Sequence, residues 1–171
     1  MILARIILDL LAIVPMTGYD VKRHFDSTAA HFWAADKAQI YRALASLVAD
    51  GFAEIEVVPG NGAPDRQVHH ITEAGRAALG AWLRSPVERS VDRDPFLARV
   101  FFAGELSDDE LHDLLAARRA EVEERLALYA QMRDESATDR ALRLRLATLE
   151  NGIAHLPAEL AWIDDTEGCL L

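Results

Sequence analysis

Asp36-Lys37-Ala38-Gln39-Ile40-Tyr41-Arg42-Ala43-Leu44-Ala45-Ser46-Leu47-Val48-Ala49-Asp50-Gly51 reads as a helix with a marked start, a marked end and two unlike faces. Asp36 followed by Gln39 at the third helical position is a capping-box pattern, in which each side chain takes a backbone N–H that the first turn leaves unpaired. Gly51 closes the helix, because glycine enters the left-handed cap conformation without a Cβ penalty. At helical spacing Ile40, Leu44, Leu47 and Val48 share one side and must face a core. The other side collects Ala38, Gln39, Arg42, Ala45, Ser46 and Ala49. Alanines let such a face approach a surface closely, while Gln39 and Arg42 carry groups that pair with adenine and guanine edges in a major groove. A merely solvated face has much the same composition, so the reading turns on what flanks the helix.

Upstream, Ile2, Leu3, Ile6, Ile7, Leu10, Leu11 and Val14 recur at helical spacing, with Arg5 and Asp9 on the polar side. Pro15 stops this first helix, and Thr17 is positioned to cap a second that carries Tyr19, Val21 and Phe25 toward Phe32-Trp33. Downstream of Gly51, Phe52 to Val58 suits a strand, Pro59 to Asp65 is turn chemistry, and Arg66 to Ile71 makes the return strand. Thr72 then caps a helix bearing Leu79, Trp82 and Leu83, which Ser85-Pro86 ends. Three helices, a hairpin and a further helix is the order of a winged helix-turn-helix over residues 1–85. The hairpin is the wing, and Arg66, with His69 near it, is placed to meet a phosphate backbone or a minor groove.

Residues 86–171 read as helical throughout. Pro95 to Phe102 is a short apolar segment closed by Gly104, and Ser107-Asp108-Asp109-Glu110 is a second capping box, opening a helix to about Arg133. A last helix starts near Asp139. Its Leu142, Leu146, Leu149, Ile153, Leu156, Leu160 and Ile163 keep alternating spacings of four and three, the pattern of a helix packed along a helical neighbour. The Leu111 to Met132 helix can cover part of that seam, and a partner helix is expected to cover the rest. Pro157 removes a backbone donor and crowds the Ile153 carbonyl, so one bent helix is expected. The fold class is therefore mainly α with a small β-hairpin wing, followed by an antiparallel helical dimerisation domain.

The charge follows the same division. The formal net charge is −10, yet residues 1–85 hold 8 Lys+Arg against 9 Asp+Glu, whereas 86–171 hold 10 against 19. A strongly acidic body repels phosphates, but a nearly neutral first half can present a local basic face. The single Cys169 excludes an internal disulfide and a multi-cysteine zinc site, and suits the reducing cytoplasm. Met1 to Val14 is too short to span a bilayer, and Asp9 together with Pro15-Met16-Thr17-Gly18 argues against a cleaved signal peptide. No membrane partner is expected.

Several stretches together resemble the PadR family of transcriptional regulators: Pro15-Met16-Thr17-Gly18-Tyr19, Phe32-Trp33, Gln39-Ile40-Tyr41-Arg42-Ala43-Leu44, Leu47, Gly51-Phe52 and Ile71-Thr72-Glu73-Ala74-Gly75-Arg76. Phe101-Phe102-Ala103-Gly104 through Ser107, Thr148 to Ile153 and Glu159-Leu160-Ala161-Trp162 resemble the C-terminal helical domain of one branch of that family. The resemblance implies a homodimer whose third helices enter successive major grooves of an inverted-repeat operator. It also implies repression relieved by a small molecule or signal. It places Tyr41 and Arg42 toward DNA, and Gln39 matches the form found in this branch. With the face and the wing, the DNA-binding set is Lys37, Gln39, Tyr41, Arg42, Ser46 and Arg66, and the dimerisation set is the seam named above.

Other features are given plainer readings. His24 and His31 lie seven apart, and His69-His70 point to opposite faces of a strand, so neither pair has the geometry of a helical metal site. No metal or cofactor is expected, and no nucleophile motif points to an enzyme. Trp33, Trp82 and Trp162 are foremost core or interface anchors. Trp33 and Trp82 are also the candidates to line an apolar effector pocket between the halves of a dimer. The competing functional reading is a signalling or adaptor module on the same fold without DNA binding, which the acidic balance permits.

Overall fold

The apolar N-terminal run forms helix α1, Ile2–Ile13, and buries Leu3, Ile7, Leu8, Leu10 and Leu11. The computed structural model describes residues 2–60, 62, 64–87, 93–133 and 139–170. Pro15 cannot continue the helix, and Met16–Thr17 instead form a short strand, β1. The Thr17 hydroxyl then accepts from the Asp20 backbone N–H at 3.2 Å and starts α2, Gly18–Thr28. This helix is shorter than the sequence suggests. Ala29 takes over as its C-cap, and the backbone N–H groups of Phe32 and Trp33 turn back onto the Ala29 carbonyl. Tyr19 is 65% exposed at the start of α2.

Helix α3 spans Lys37–Ala49 with both halves of the Asp36–Gln39 capping box formed. Gly51 follows with φ +73°, the left-handed conformation that its sequence position calls for. Strands β2, Ala53–Val58, and β3, Arg66–Ile71, pair antiparallel from Ala53↔Ile71 to Val58↔Arg66. The wing is more than a hairpin, because β1 joins its other edge through Met16↔His69 and Thr17↔Val68, giving the order β1-β3-β2. Helix α4, Glu73–Leu83, begins at Thr72. The Thr72 hydroxyl donates to the Gly51 carbonyl at 2.7 Å and accepts from Gly75 N–H at 3.0 Å, tying the hairpin base to the end of α3.

One core unites these elements, built on Ile7, Leu8, Leu11, Val21, Phe25, Ile40, Leu44 and Leu47. Each such large side chain contributes roughly 1.5–3 kcal/mol on burial, so α3 is anchored far more firmly than its exposed face requires. The chain divides into two compact units, Met1–Glu88 and Arg89–Leu171.

The second unit holds α5, Pro95–Phe101, a 3-10 turn at Ala103–Glu105, α6, Asp108–Gln131, and α7, Arg140–Leu170. Ser107 and Glu110 form the second capping box. Pro157 lies inside α7, which remains one helix. Helices α6 and α7 pack through Val122, Tyr129, Leu149 and Leu156, with Leu126, Leu146, Ile153 and Leu160 around them. At one level of this packing Arg118 of α6 meets Glu159 of α7 at 2.6 Å, and at another Arg119 meets Glu167 at 2.9 Å.

Candidate nucleic-acid interface

The core side of α3 is Ile40, Ala43, Leu44 and Leu47. Val48 packs half-buried against the same core, and Ala43 is buried in it as well. Lys37, Ala38, Gln39, Tyr41, Arg42, Ala45, Ser46 and Ala49 are all exposed. The face that the sequence singles out is therefore open along its whole length.

Its members are not equally free. The Gln39 side-chain oxygen accepts from the Asp36 backbone N–H at 2.9 Å, while Gln39 N–H donates to the Asp36 carboxylate at 2.7 Å. Bidentate recognition of adenine needs both ends of the amide, and here the oxygen serves the cap. The Ser46 hydroxyl donates to Asp50 at 3.4 Å. Arg42, in contrast, makes no hydrogen bond or ion pair among the described residues, and the exposed Ala38, Ala45 and Ala49 leave space beside it.

Two flanks border this strip. On one, the Lys37 ammonium lies 5.7 Å from the centre of the Tyr41 ring, and that ring lies over Gly18 at the start of α2. Exposed Tyr19 follows Gly18 there, so the flank gathers Lys37, two phenols and a helix N-terminus. On the other flank Gln39, Arg42, Ser46 and Asp50 share a cleft of about 470 Å³ with Leu3, Ala4 and Arg5 of α1, with Trp33 and with Phe52. The Arg5 guanidinium sits 5.6 Å from the centre of the Phe52 ring.

The wing supplies Arg66, exposed at the start of β3. At the tip, Gly60 N–H donates to the Asp65 carboxylate at 3.2 Å. Asn61 and Ala63 of the expected turn lie outside the described residues. His69 and His70 do face opposite ways. His70 meets the Glu56 carboxylate at 2.9 Å on the exposed side, whereas His69 is only 6% exposed and leaves Nδ1 without a hydrogen-bond partner. Burial holds the His69 imidazole below its ordinary value, against a raising contribution from the Met16 backbone. His69 thus belongs to the β1–β3 junction and not to a phosphate-facing surface.

Residues 7–81 match the model of the PadR-like family of transcriptional regulators, and residues 93–170 match that of the virulence activator alpha C-terminal domain. Residues 7–81 are thus a PadR-like domain. Among similar proteins is a probable transcriptional regulator of Mycobacterium tuberculosis, 28% identical over 90% of this chain and 89% of its own. The negative transcriptional regulator PadR of Bacillus subtilis is 28% identical over 74% of this chain and 72% of its own. Its structure in complex with operator DNA has the same fold, with a TM-score of 0.80 and 23% identity over 99% of both chains. Its complex with p-coumaric acid gives a TM-score of 0.62 and 25% identity over 96% of this chain and 99% of that one. The Vibrio cholerae virulence activator AphA gives 0.73 at 28% identity, covering 98% of this chain and 97% of its own.

Trp33 and Trp82, the candidates for an effector pocket between the halves of a dimer, are both half-buried in the protomer. Trp33 lines the cleft beside α3, and Trp82 is not among the residues lining it. The seam of α7 also divides. Leu149, Leu156 and Ile163 are buried within the protomer, Leu146, Ile153 and Leu160 are half-buried there, and Leu142 remains 37% exposed. Among the described residues of the second unit the most exposed large apolar side chains are Phe101 and Phe102, 81% and 76% exposed with rings 5.0 Å apart, and Leu97 and Leu106 are exposed nearby in sequence. The sequence could have signalled this pair, since adjacent phenylalanines at a helix end cannot both face one core. Among the described residues no helix is long and apolar enough to cross a membrane, and no cluster of three or more His, Cys, Asp or Glu could hold a metal.

Proposed function

We propose that the chain is a sequence-specific DNA-binding repressor that holds an inverted-repeat operator as a homodimer and is released by a small-molecule effector. The observation that carries this reading is Arg42, without a partner among the described residues, standing on an exposed, alanine-lined strip of a firmly anchored helix. A guanidinium so placed can reach the O6 and N7 of guanine when α3 enters a major groove. Lys37 and Tyr41 on one flank and Arg66 on the wing are placed for phosphates, which fix register without reading sequence. Gln39 and Ser46 contribute to the same face, with Gln39 offering its amide N–H₂ while its oxygen holds the cap.

Dimerisation belongs to the second unit in this reading. The outward remainder of the α7 seam, together with Phe101, Phe102, Leu97 and Leu106, is the apolar surface left for a second copy. Apolar patches of this kind mark partner surfaces in soluble proteins. Repression follows from occupancy of a promoter by the dimer in the cytoplasm, and no catalytic step is assigned to the chain. The family name, the word negative in the Bacillus subtilis relative's name, and that relative's complexes with operator DNA and p-coumaric acid support the reading.

The test is selection of bound sequences from random duplex DNA with the purified full chain. Two related half-sites with centres about 10 base pairs apart, or a multiple of that, are expected from a symmetric dimer with one helix per groove. No enrichment, with binding that depends on salt alone, would overturn the reading.

A further inference from the structure

Folding and base recognition make opposite demands on the Gln39 amide. Its oxygen accepts from the Asp36 backbone N–H at 2.9 Å, and the Gln39 backbone N–H donates to the Asp36 carboxylate at 2.7 Å, so the side chain is fastened at the start of α3. The cap also decides which end of the amide points where, because an N–H can be met only by an acceptor and the amide has one, its oxygen. What Gln39 has left to offer is its N–H₂, a pair of donors. A free glutamine recognises adenine with both ends at once, the N–H₂ donating to N7 and the oxygen accepting from N6. The fastened oxygen keeps a second lone pair, but the cap sets the amide plane, and bidentate pairing needs both ends turned to one base edge. A lone N–H₂ finds O6 and N7 on guanine and O4 on thymine, whereas the amino groups of adenine and cytosine meet it donor against donor.

We propose that the Asp36–Gln39 capping box makes Gln39 a reader of keto bases, which takes guanine or thymine at one position of each operator half-site and rejects cytosine and adenine on that strand. The assignment rests on the DNA reading proposed above and adds to it the kind of base that Gln39 selects. Its signature is a position with two permitted letters, G·C or T·A in one fixed orientation relative to the rest of the half-site. An unfastened glutamine would instead select one A·T pair.

The experiment is selection from random duplex DNA with the full chain and its variants, each verified as folded by circular dichroism. Gln39→Leu removes the amide and so identifies the position: preference should disappear there and survive elsewhere in the half-site. At that position wild type should hold guanine and thymine about tenfold above cytosine. Gln39→Glu keeps one oxygen for the cap and presents a second acceptor, so the position should invert to cytosine or adenine, the bases with amino groups. Asp36→Ala and Asp36→Pro both lose the capping carboxylate, but only proline also lacks the N–H that holds the Gln39 oxygen. The φ of −76° at Asp36 lies within the range of a proline ring. Asp36→Pro should therefore narrow the position to one A·T pair, while Asp36→Ala keeps both letters. If the proline variant does not fold, Gln39→Glu beside wild type decides. A single A·T pair in wild type, an unchanged preference in Gln39→Glu, or a Gln39→Leu variant that alters no position would overturn the base assignment and leave the DNA reading standing. No enrichment of any sequence by wild type would overturn the DNA reading and this assignment with it.

Discussion

A Cβ atom on Gly18 would lie 2.9 Å from the ring of Tyr41. The contact links the first residue of α2 to the exposed face of α3 and holds a phenol that is 43% exposed at the edge of that face. Only the outer end of the Tyr41 ring is in the way, so Gly18→Ala should displace the ring without breaking the core. Gly18 is buried, yet what stands in the way is the end of a flexible side chain, so the melting temperature should fall only slightly while affinity for a selected operator falls several-fold. Gly75→Ala is the contrast, because its Cβ would meet the Phe52 carbonyl oxygen at 2.1 Å. Backbone cannot swing aside as a side chain can, and that variant should melt well below wild type. Thermal melts and anisotropy on both variants check the pair.

Gln39 and Arg42 should separate folding from reading. Gln39→Ala removes one half of a capping box and is expected to cost about 0.5–1 kcal/mol of stability. Gln39→Glu keeps an oxygen for the Asp36 N–H and should restore it, while placing a negative charge where DNA is expected. Arg42→Ala should leave the melting temperature unchanged and cost about 1–3 kcal/mol of specific binding, with relaxed preference at one base position. Unchanged sequence preference in Arg42→Ala would remove that residue from the reading surface.

What could be read in advance was whatever is set locally. The Asp36–Gln39 box, the Gly51 cap and the Arg66–Ile71 strand are governed by neighbours within a few residues, and each appears as the sequence implies. Strand β1 was not legible, because two residues carry no periodicity and Met16 becomes a strand only by pairing with His69, far along the chain. The cleft was not legible for the same reason: it draws Arg5, Trp33, Arg42 and Phe52 from separate segments. Gln39 shows a subtler limit. Its capping position and its groups suited to adenine were both visible in the sequence, but only geometry reveals that the cap takes the amide oxygen. The α7 seam was correctly seen as apolar, yet spacing alone does not say whether α6 or a second copy covers it.

The wing residue Arg66 should contribute charge and not sequence preference. Arg66→Ala is expected to weaken binding to all duplexes alike and to lower the salt slope by about one unit for one lost phosphate contact. Loss of preference at a single base position would instead make the wing a reader.

Acid should loosen the β1–β3 junction. Burial is the first cause of the lowered His69 pKa, with the His70 charge acting in the same direction. The unfolded chain therefore binds the proton more readily than the fold does. Stability from this group is complete above the ordinary histidine value of 6.5 and is lost as pH falls below it toward the lowered folded value. Melting temperatures measured from pH 7.5 down to 5.5 should fall in wild type and fall less in His69→Leu. The drop should shrink without vanishing, because burial lowers the His31 pKa as well. An identical pH profile in His69→Leu would show that His69 is not the group responsible.

The dimer test must now distinguish two surfaces of the second unit. Ile153 lies against the core formed by Val122, Tyr129, Leu149 and Leu156 of its own chain. A charge there loses solvation without gaining a partner, so Ile153→Asp should destabilise the protomer before it affects association. Phe101 and Phe102 are almost wholly exposed in the protomer, so replacing both with serine costs the protomer little. If a second copy covers them, each lost ring removes roughly 1.5–3 kcal/mol of burial, enough together to raise the dimer Kd by about a hundredfold or more. Light scattering across a dilution series, with circular dichroism on the same samples, should therefore find a folded, largely monomeric double variant. Since two half-sites are held tightly only when joined, that variant should also lose specific operator affinity while keeping its melting temperature. A double variant that still runs as a dimer, beside an Ile153→Asp protein that is folded and monomeric, would return the interface to the α7 seam.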